Sequence, residues 1–195
     1  MCVKCPAQVM GRAIDMLLGG VALERNKKLK KLVLAALFAA LSCVSTLIIQ
    51  IPSPMQGYVN LGDCFVLLGA YALGPVWGGA AGGIGSMLAD LLAGYAHYAP
   101  GTLVIKALSA LVAALIFKTQ KSRRSVLPVI LGGLAGEAVM VAGYFGYACL
   151  LLGKGLAAAT SIPGNLVQAA VGIIASTVMI HLIGRSPKLY QYLER

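Results

Sequence analysis

Long apolar runs separated by short polar breaks fill most of the chain, at about 31–50, 62–74, 76–95, 101–117, 126–152 and 161–184. Most approach the roughly 20 residues that, at about 1.5 Å per residue, cross a hydrocarbon core of about 30 Å. The pattern predicts an all-α integral membrane protein, a compact bundle of six transmembrane helices. The second run is short, and Gly74-Pro75 parts it from the third. Those two are expected to form a tight hairpin or a partly re-entrant pair, with a count of five spans as the alternative.

Polar residues inside the runs recur at helical spacing. Ser42, Thr46 and Gln50 are four apart on the first run, so they share one face. Glu137, Tyr144 and Tyr147, with Met140 between them, do the same on the fifth, and Asn165 and Gln168 on the sixth. An ionisable side chain in a span is costly enough that an ion pair or a function is the starting expectation. Asp63, Asp90, Lys106 and Glu137 are the four such residues. Asp90 and Lys106 fall at similar depth on neighbouring runs, so an ion pair between them is as reasonable as ligand contact. Small residues four apart, at Gly78/Gly82 and Gly79/Gly83, suit close helix packing in lipid. Ala35/Ala39 and Ala36/Ala40 have the same spacing and could instead face a partner.

The composition agrees with a membrane solvent: of 195 residues, 59% are hydrophobic and 11% charged, against roughly 25% charged in soluble domains. The net charge of +10 comes from short clusters between spans without aromatic interleaving, which argues for topology and against nucleic acid. With six spans, the side of the termini carries Lys4, Arg12, Arg25, Lys27, Lys28, Lys30, Lys31, Lys118, Lys121, Arg123, Arg124, Arg185, Lys188 and Arg195, while the other side has Lys154 alone. The positive-inside bias then predicts that both termini are cytoplasmic. Residues 1–29 read as a partly ordered cytoplasmic leader, 30–185 as the membrane domain and 186–195 as a cytoplasmic tail. The expected location is the bacterial cytoplasmic membrane.

On this topology the polar stripes converge toward the outer side. The outer loop Ile51–Leu61 contributes Tyr58 and Asn60, and the next outer loop contributes Tyr95, His97 and Tyr98. These are aromatic surfaces suited to a planar ring. The candidate binding residues are thus Thr46, Gln50, Tyr58, Asn60, Asp63, Asp90, Tyr98, Lys106, Glu137, Tyr144, Tyr147, Asn165 and Gln168. Carboxylates at Asp63 and Glu137 beside tyrosines favour a pyridoxine- or pyrimidine-like ligand, with riboflavin or a deazapurine precursor open. No H-E-x-x-H, G-x-S-x-G or phosphate-loop signature occurs, so an enzyme using Asp63, Asp90 or Glu137 is the weaker alternative. A stand-alone ion-coupled carrier with Glu137 as its ion site is another, although the two halves lack the internal repeat such carriers show. Cys2 and Cys5 form a C-x-x-C without a second ligand pair, so no metal is expected.

Four segments carry a family resemblance: Leu34-Ala-Ala-Leu-Phe-Ala-Ala-Leu41, Gly57-Tyr-Val-Asn-Leu-Gly-Asp63, Leu73-Gly-Pro-Val-Trp-Gly78 and Ala81-Gly-Gly-Ile-Gly-Ser-Met-Leu-Ala-Asp90. With six spans in about 160 residues, from about Lys30 to Gly184, the chain resembles the substrate-binding S components of energy-coupling factor (ECF) vitamin transporters, especially the riboflavin-type branch. The resemblance implies an outward-facing vitamin pocket. It also implies an alanine-rich first helix, here Ala35, Ala36, Ala39 and Ala40, that meets a membrane coupling subunit. Two separate ATPase subunits would use the ATP, leaving this chain with no cofactor and no catalytic site of its own.

Overall fold

A computed structural model describes residues 28–53, 57–119 and 126–184. The Cys2/Cys5 pair, most of the expected leader and the expected tail lie outside the described residues. Two units divide the chain, Met1–Leu34 and Ala35–Arg195. Of the first, the described part is the start of helix α1 (Lys28–Ile48). The second continues α1 and adds strands β1 (Gln50–Ser53) and β2 (Gly57–Asn60), then α2 (Gly62–Leu73), α3 (Pro75–Leu92), α4 (Ala99–Thr119), α5 (Leu127–Gly146) and α6 (Ile162–Gly184). A π-helical turn at Tyr147–Leu151 extends α5, and a 3₁₀ turn at Gly155–Ser161 leads into α6.

Among the described residues six α-helices form where six were expected. Four helical stretches are long and apolar enough to cross a membrane: Lys28–Ile48, Ala99–Thr119, Leu127–Leu151 and Gly155–Leu182. Large apolar side chains such as Leu150, Leu156, Val76 and Ile174 stand exposed on the outside of the bundle, a cost in water but the normal surface in lipid. α2 is different. Its 12 residues reach only about 18 Å, and nearly all are buried, because it lies among α3, α4 and α6 rather than against lipid. Val66, Leu67 and Ala70 pack there with Ala110, Ala113, Phe117 and Val129, and Tyr71 donates to the Val129 carbonyl at 2.9 Å.

Backbone approaches that only glycine permits set the spacing of α3. Gly78 and Gly82 face α2, where an added Cβ would lie 2.5 Å from the Ala70 Cα and 2.8 Å from a Val66 methyl. Gly79 and Gly83 face α4, and Gly85 faces α1, where an added Cβ would lie 2.3 Å from the Ala39 carbonyl oxygen. The two staggered small-residue stripes therefore serve two different partners. Ser42 and Ser86 hydrogen-bond between α1 and α3 at 3.3 Å. Gly74, at φ 84, makes the abrupt turn from α2 to α3 that the Gly74-Pro75 signal predicts.

The segment from Ile51 to Leu61, expected as a loop, contains a β-hairpin. β1 and β2 pair antiparallel, with Gln50 opposite Asn60 and Pro52 opposite Tyr58. Backbone at the edge of an apolar phase gains from pairing its hydrogen-bonding groups, and the ribbon pairs the inward-facing half of them where an open loop would pair fewer. Pro52 fits because each strand of a two-stranded ribbon is an edge.

Because the clash at Gly78 is with backbone, Gly78→Val is expected to cost about 2 kcal/mol or more. A thermal melt in detergent, followed through the single tryptophan, Trp77, should show a Tm several degrees below that of the parent protein.

Candidate functional site

A partly open pocket lies at the end of the bundle that carries the hairpin. Its walls are Tyr58 and Asn60 of β2, Asp90 of α3, Tyr98 of the α3–α4 turn, Thr102 of α4, Tyr144 of α5, Ala148 of the π-turn, Ser161, and Asn165 and Gln168 of α6. The empty space amounts to about 550 Å³, counting the part continuous with solvent. The wall thus combines β2 and the α3–α4 turn with the C-terminal ends of α3 and α5 and the N-terminal parts of α4 and α6.

Asp90 is the charged group in the wall. It is 5% exposed; one oxygen accepts from the Tyr58 hydroxyl, and its Oδ2 is buried without a well-formed hydrogen bond, the neighbouring Thr102 hydroxyl lying close enough to interact with the carboxylate. Burial, and then the hydrogen bond to Asp90, push the Tyr58 phenol above its ordinary range, so Tyr58 stays the donor of that pair. Tyr58 also packs on Tyr95, with ring centroids 5.0 Å apart. Across the pocket Tyr144 donates to the Thr102 hydroxyl at 3.1 Å, and the Tyr98 ring lies 6.5 Å from it, edge-on. At the mouth Lys154 hydrogen-bonds the Tyr98 hydroxyl at 3.0 Å.

Behind the walls is a second polar layer. Lys106 and Asp63 form a salt bridge, each about 2% exposed at the side chain. The other Asp63 oxygen accepts from Gln168 Nε2 at 2.6 Å. Asn60 caps the start of α2, its Oδ1 accepting from the Gly62 N–H at 2.8 Å and from the Thr46 hydroxyl at 3.3 Å. This Asx-type turn and the absence of a Cβ at Gly62, which would overlap Thr46, bring β2 down onto α1 and α2.

Seven of the expected binding residues line the pocket: Tyr58, Asn60, Asp90, Tyr98, Tyr144, Asn165 and Gln168. Thr46, Gln50, Asp63, Lys106, Glu137 and Tyr147 do not. Asp63 is spent on Lys106 and Gln168. Glu137 is 2% exposed with neither carboxylate oxygen partnered, and Tyr147 donates to the His97 carbonyl at 2.9 Å. Two expectations therefore change. The ion pair of Lys106 is with Asp63 and not Asp90, and the carboxylate in the pocket wall is Asp90 and not Asp63 or Glu137. Thr102, Ala148 and Ser161 join the wall unanticipated. Ala148 continues the Tyr144 stripe and Ser161 the Asn165 stripe by one turn, while Thr102 stands four residues from both Tyr98 and Lys106, a spacing that could have pointed to it. Of the four first-helix alanines, Ala35 is buried and Ala39 half-buried against α3, while Ala36 and Ala40 are exposed.

Residues 26–185 match the family described as ECF-type riboflavin transporter, S component. An uncharacterized protein of Pyrococcus woesei is 43% identical over 67% of this chain and 86% of its own length. The thiamine precursor transporter HmpT of Lactococcus lactis subsp. cremoris is 31% identical over 83% of this chain and 92% of its own length. A solved S component of a bacterial ECF transporter superposes with a TM-score of 0.59 at 23% identity, over 86% of this chain and 99% of that one, a likeness of fold. The chain belongs to the S-component family of ECF-type transporters, as a multi-pass cell-membrane subunit that captures a small vitamin-type substrate.

Proposed function

We propose that this S component captures a small amino-substituted pyrimidine, a precursor of thiamine, from outside the cell. The carrying observation is the Asp90 carboxylate, a buried acceptor in the pocket wall whose Oδ2 makes no well-formed hydrogen bond within the protein. A ring amine supplies the N–H such an oxygen needs. The uracil-like edge of a flavin, by contrast, flanks its single N–H with two carbonyls that a carboxylate repels. Asn60, Asn165 and Gln168 offer amide donors and acceptors for ring nitrogens and a hydroxyl, and Tyr98 and Tyr144 offer apolar faces for a flat ring. The likeness to a thiamine precursor transporter supports the same class.

In this reading residues 30–185 form the binding domain, the pocket faces outward and both termini are cytoplasmic, as the lysine and arginine distribution favours. A membrane coupling subunit and two ATPase subunits supply the energy, so the chain needs no cofactor or ATPase site. Ala36 and Ala40, the exposed pair of the first-helix alanines, are the candidates for meeting the coupling subunit.

Calorimetry on the purified protein tests the substrate class with four ligands: the free aminopyrimidine alcohol corresponding to half of thiamine, pyridoxine, thiamine and riboflavin. The aminopyrimidine should bind at least about tenfold more tightly than the others; saturable riboflavin binding without aminopyrimidine binding would falsify the assignment. Asp90→Asn removes a charge-assisted hydrogen bond of about 1.5–3 kcal/mol, so affinity should drop about 10- to 100-fold. Orientation is open to a separate check. A cysteine in place of Lys154 should react with an impermeant maleimide on intact cells, and one in place of Arg123 should react only after lysis.

A further inference from the structure

The ion pair behind the pocket touches no ligand-facing space, yet the hydrogen bonds leading from it end on two residues that do. Lys106 of α4 donates to Asp63 Oδ1 at the start of α2, and Gln168 of α6 donates through Nε2 to Asp63 Oδ2. The Asn60 N–H of β2 donates to Gln168 Oε1 at 2.9 Å. Gln168 and Asn60 are both pocket walls. Gly172, one turn beyond Gln168, lets α6 come this close, since a Cβ there would lie 2.9 Å from the Asp63 Cβ.

A primary amide has one donor end and one acceptor end. The Asn60 N–H can only donate, so Gln168 holds it only with Oε1 turned that way and Nε2 turned toward Asp63. That orientation requires Asp63 to accept on Oδ2, which it does while its partner on Oδ1 is an ammonium. Without the ammonium, Asp63 is an uncompensated buried charge, and whatever satisfies it, a proton or a water, competes with Gln168 for the same oxygens.

We propose that Lys106 is a positioning residue for capture: acting through Asp63, it locks the Gln168 amide in the orientation that holds Asn60 and the second hairpin strand in the pocket wall. Lys106 itself lies behind that wall, its Nζ 5.5 Å from the centre of the Tyr144 ring. The inference rests on the pocket being the capture site, but its first readout needs no ligand.

That readout is hydrogen exchange of the Asn60 amide in the unliganded full-length protein, compared between the parent, Lys106→Arg, Lys106→Met and the double variant Asp63→Leu/Lys106→Met. The double variant leaves no lone buried charge, so it keeps the test alive if the single Met variant does not fold. In either Met-containing variant that folds, the Asn60 amide should exchange at least about tenfold faster while α5 amides keep their rates, as a local opening requires. Lys106→Arg, which retains a cation, should restore protection. Parent-level protection of Asn60 in a folded Met-containing variant overturns the proposal. In parallel, the aminopyrimidine should bind these variants at least about tenfold more weakly than the parent. Failure of the parent to bind it counts against the substrate class alone, and the exchange rates still decide the role of Lys106.

Discussion

A lysine and an aspartate buried in an apolar phase have to find each other, and that requirement organises the pocket end of this protein. A lone charge at this depth is costly, so α2 and α4 are held where Lys106 meets Asp63. Asp63 occupies the first turn of α2, where the helix's unpaired N–H groups favour an anion. Its second oxygen draws in Gln168 from α6, and Gln168 draws in the backbone of β2. Three helices and the hairpin are thereby placed at one level, and the pocket is the space left above them.

The rest of the bundle makes that arrangement possible by close backbone packing. In lipid no hydrophobic force pulls helices together, so contact must come from shape. α3 supplies it with glycines on three sides, against α2, α4 and α1. The consequence is a short, enclosed α2 whose start is buried and polar while its flanks are apolar. Asp90, toward the far end of α3, then comes within reach of Tyr58, which places its carboxylate in the pocket wall.

Much of this was legible in residue spacing. Helical stripes pointed to Tyr144, Asn165 and Gln168, and the turn signal at Gly74 to the α2–α3 hairpin. Depth in a span identified all four ionisable groups but not their roles. Asp63 and Asp90 look alike in sequence, each an aspartate beside apolar residues; one is consumed by Lys106 and Gln168 and the other keeps an oxygen without a well-formed hydrogen bond. Glu137 shared a stripe with Tyr144 yet lies too deep for the pocket, two turns nearer the start of α5. The hairpin was hidden because two prolines in the segment read as loop, whereas strand pairing depends on the partner opposite rather than on either strand alone.

The amino-acid order by itself determined the solvent, the apolar runs that become helices and the close packing of α3 through its glycines, because hydropathy, length and four-residue spacing are properties of neighbouring residues. Which charge pairs with which, which carboxylate faces the pocket and how the Gln168 amide is turned were decided only in the tertiary structure. Those outcomes depend on distances of a few ångströms between side chains some 40 to 110 positions apart, and at that separation only the packing of the helices sets the geometry.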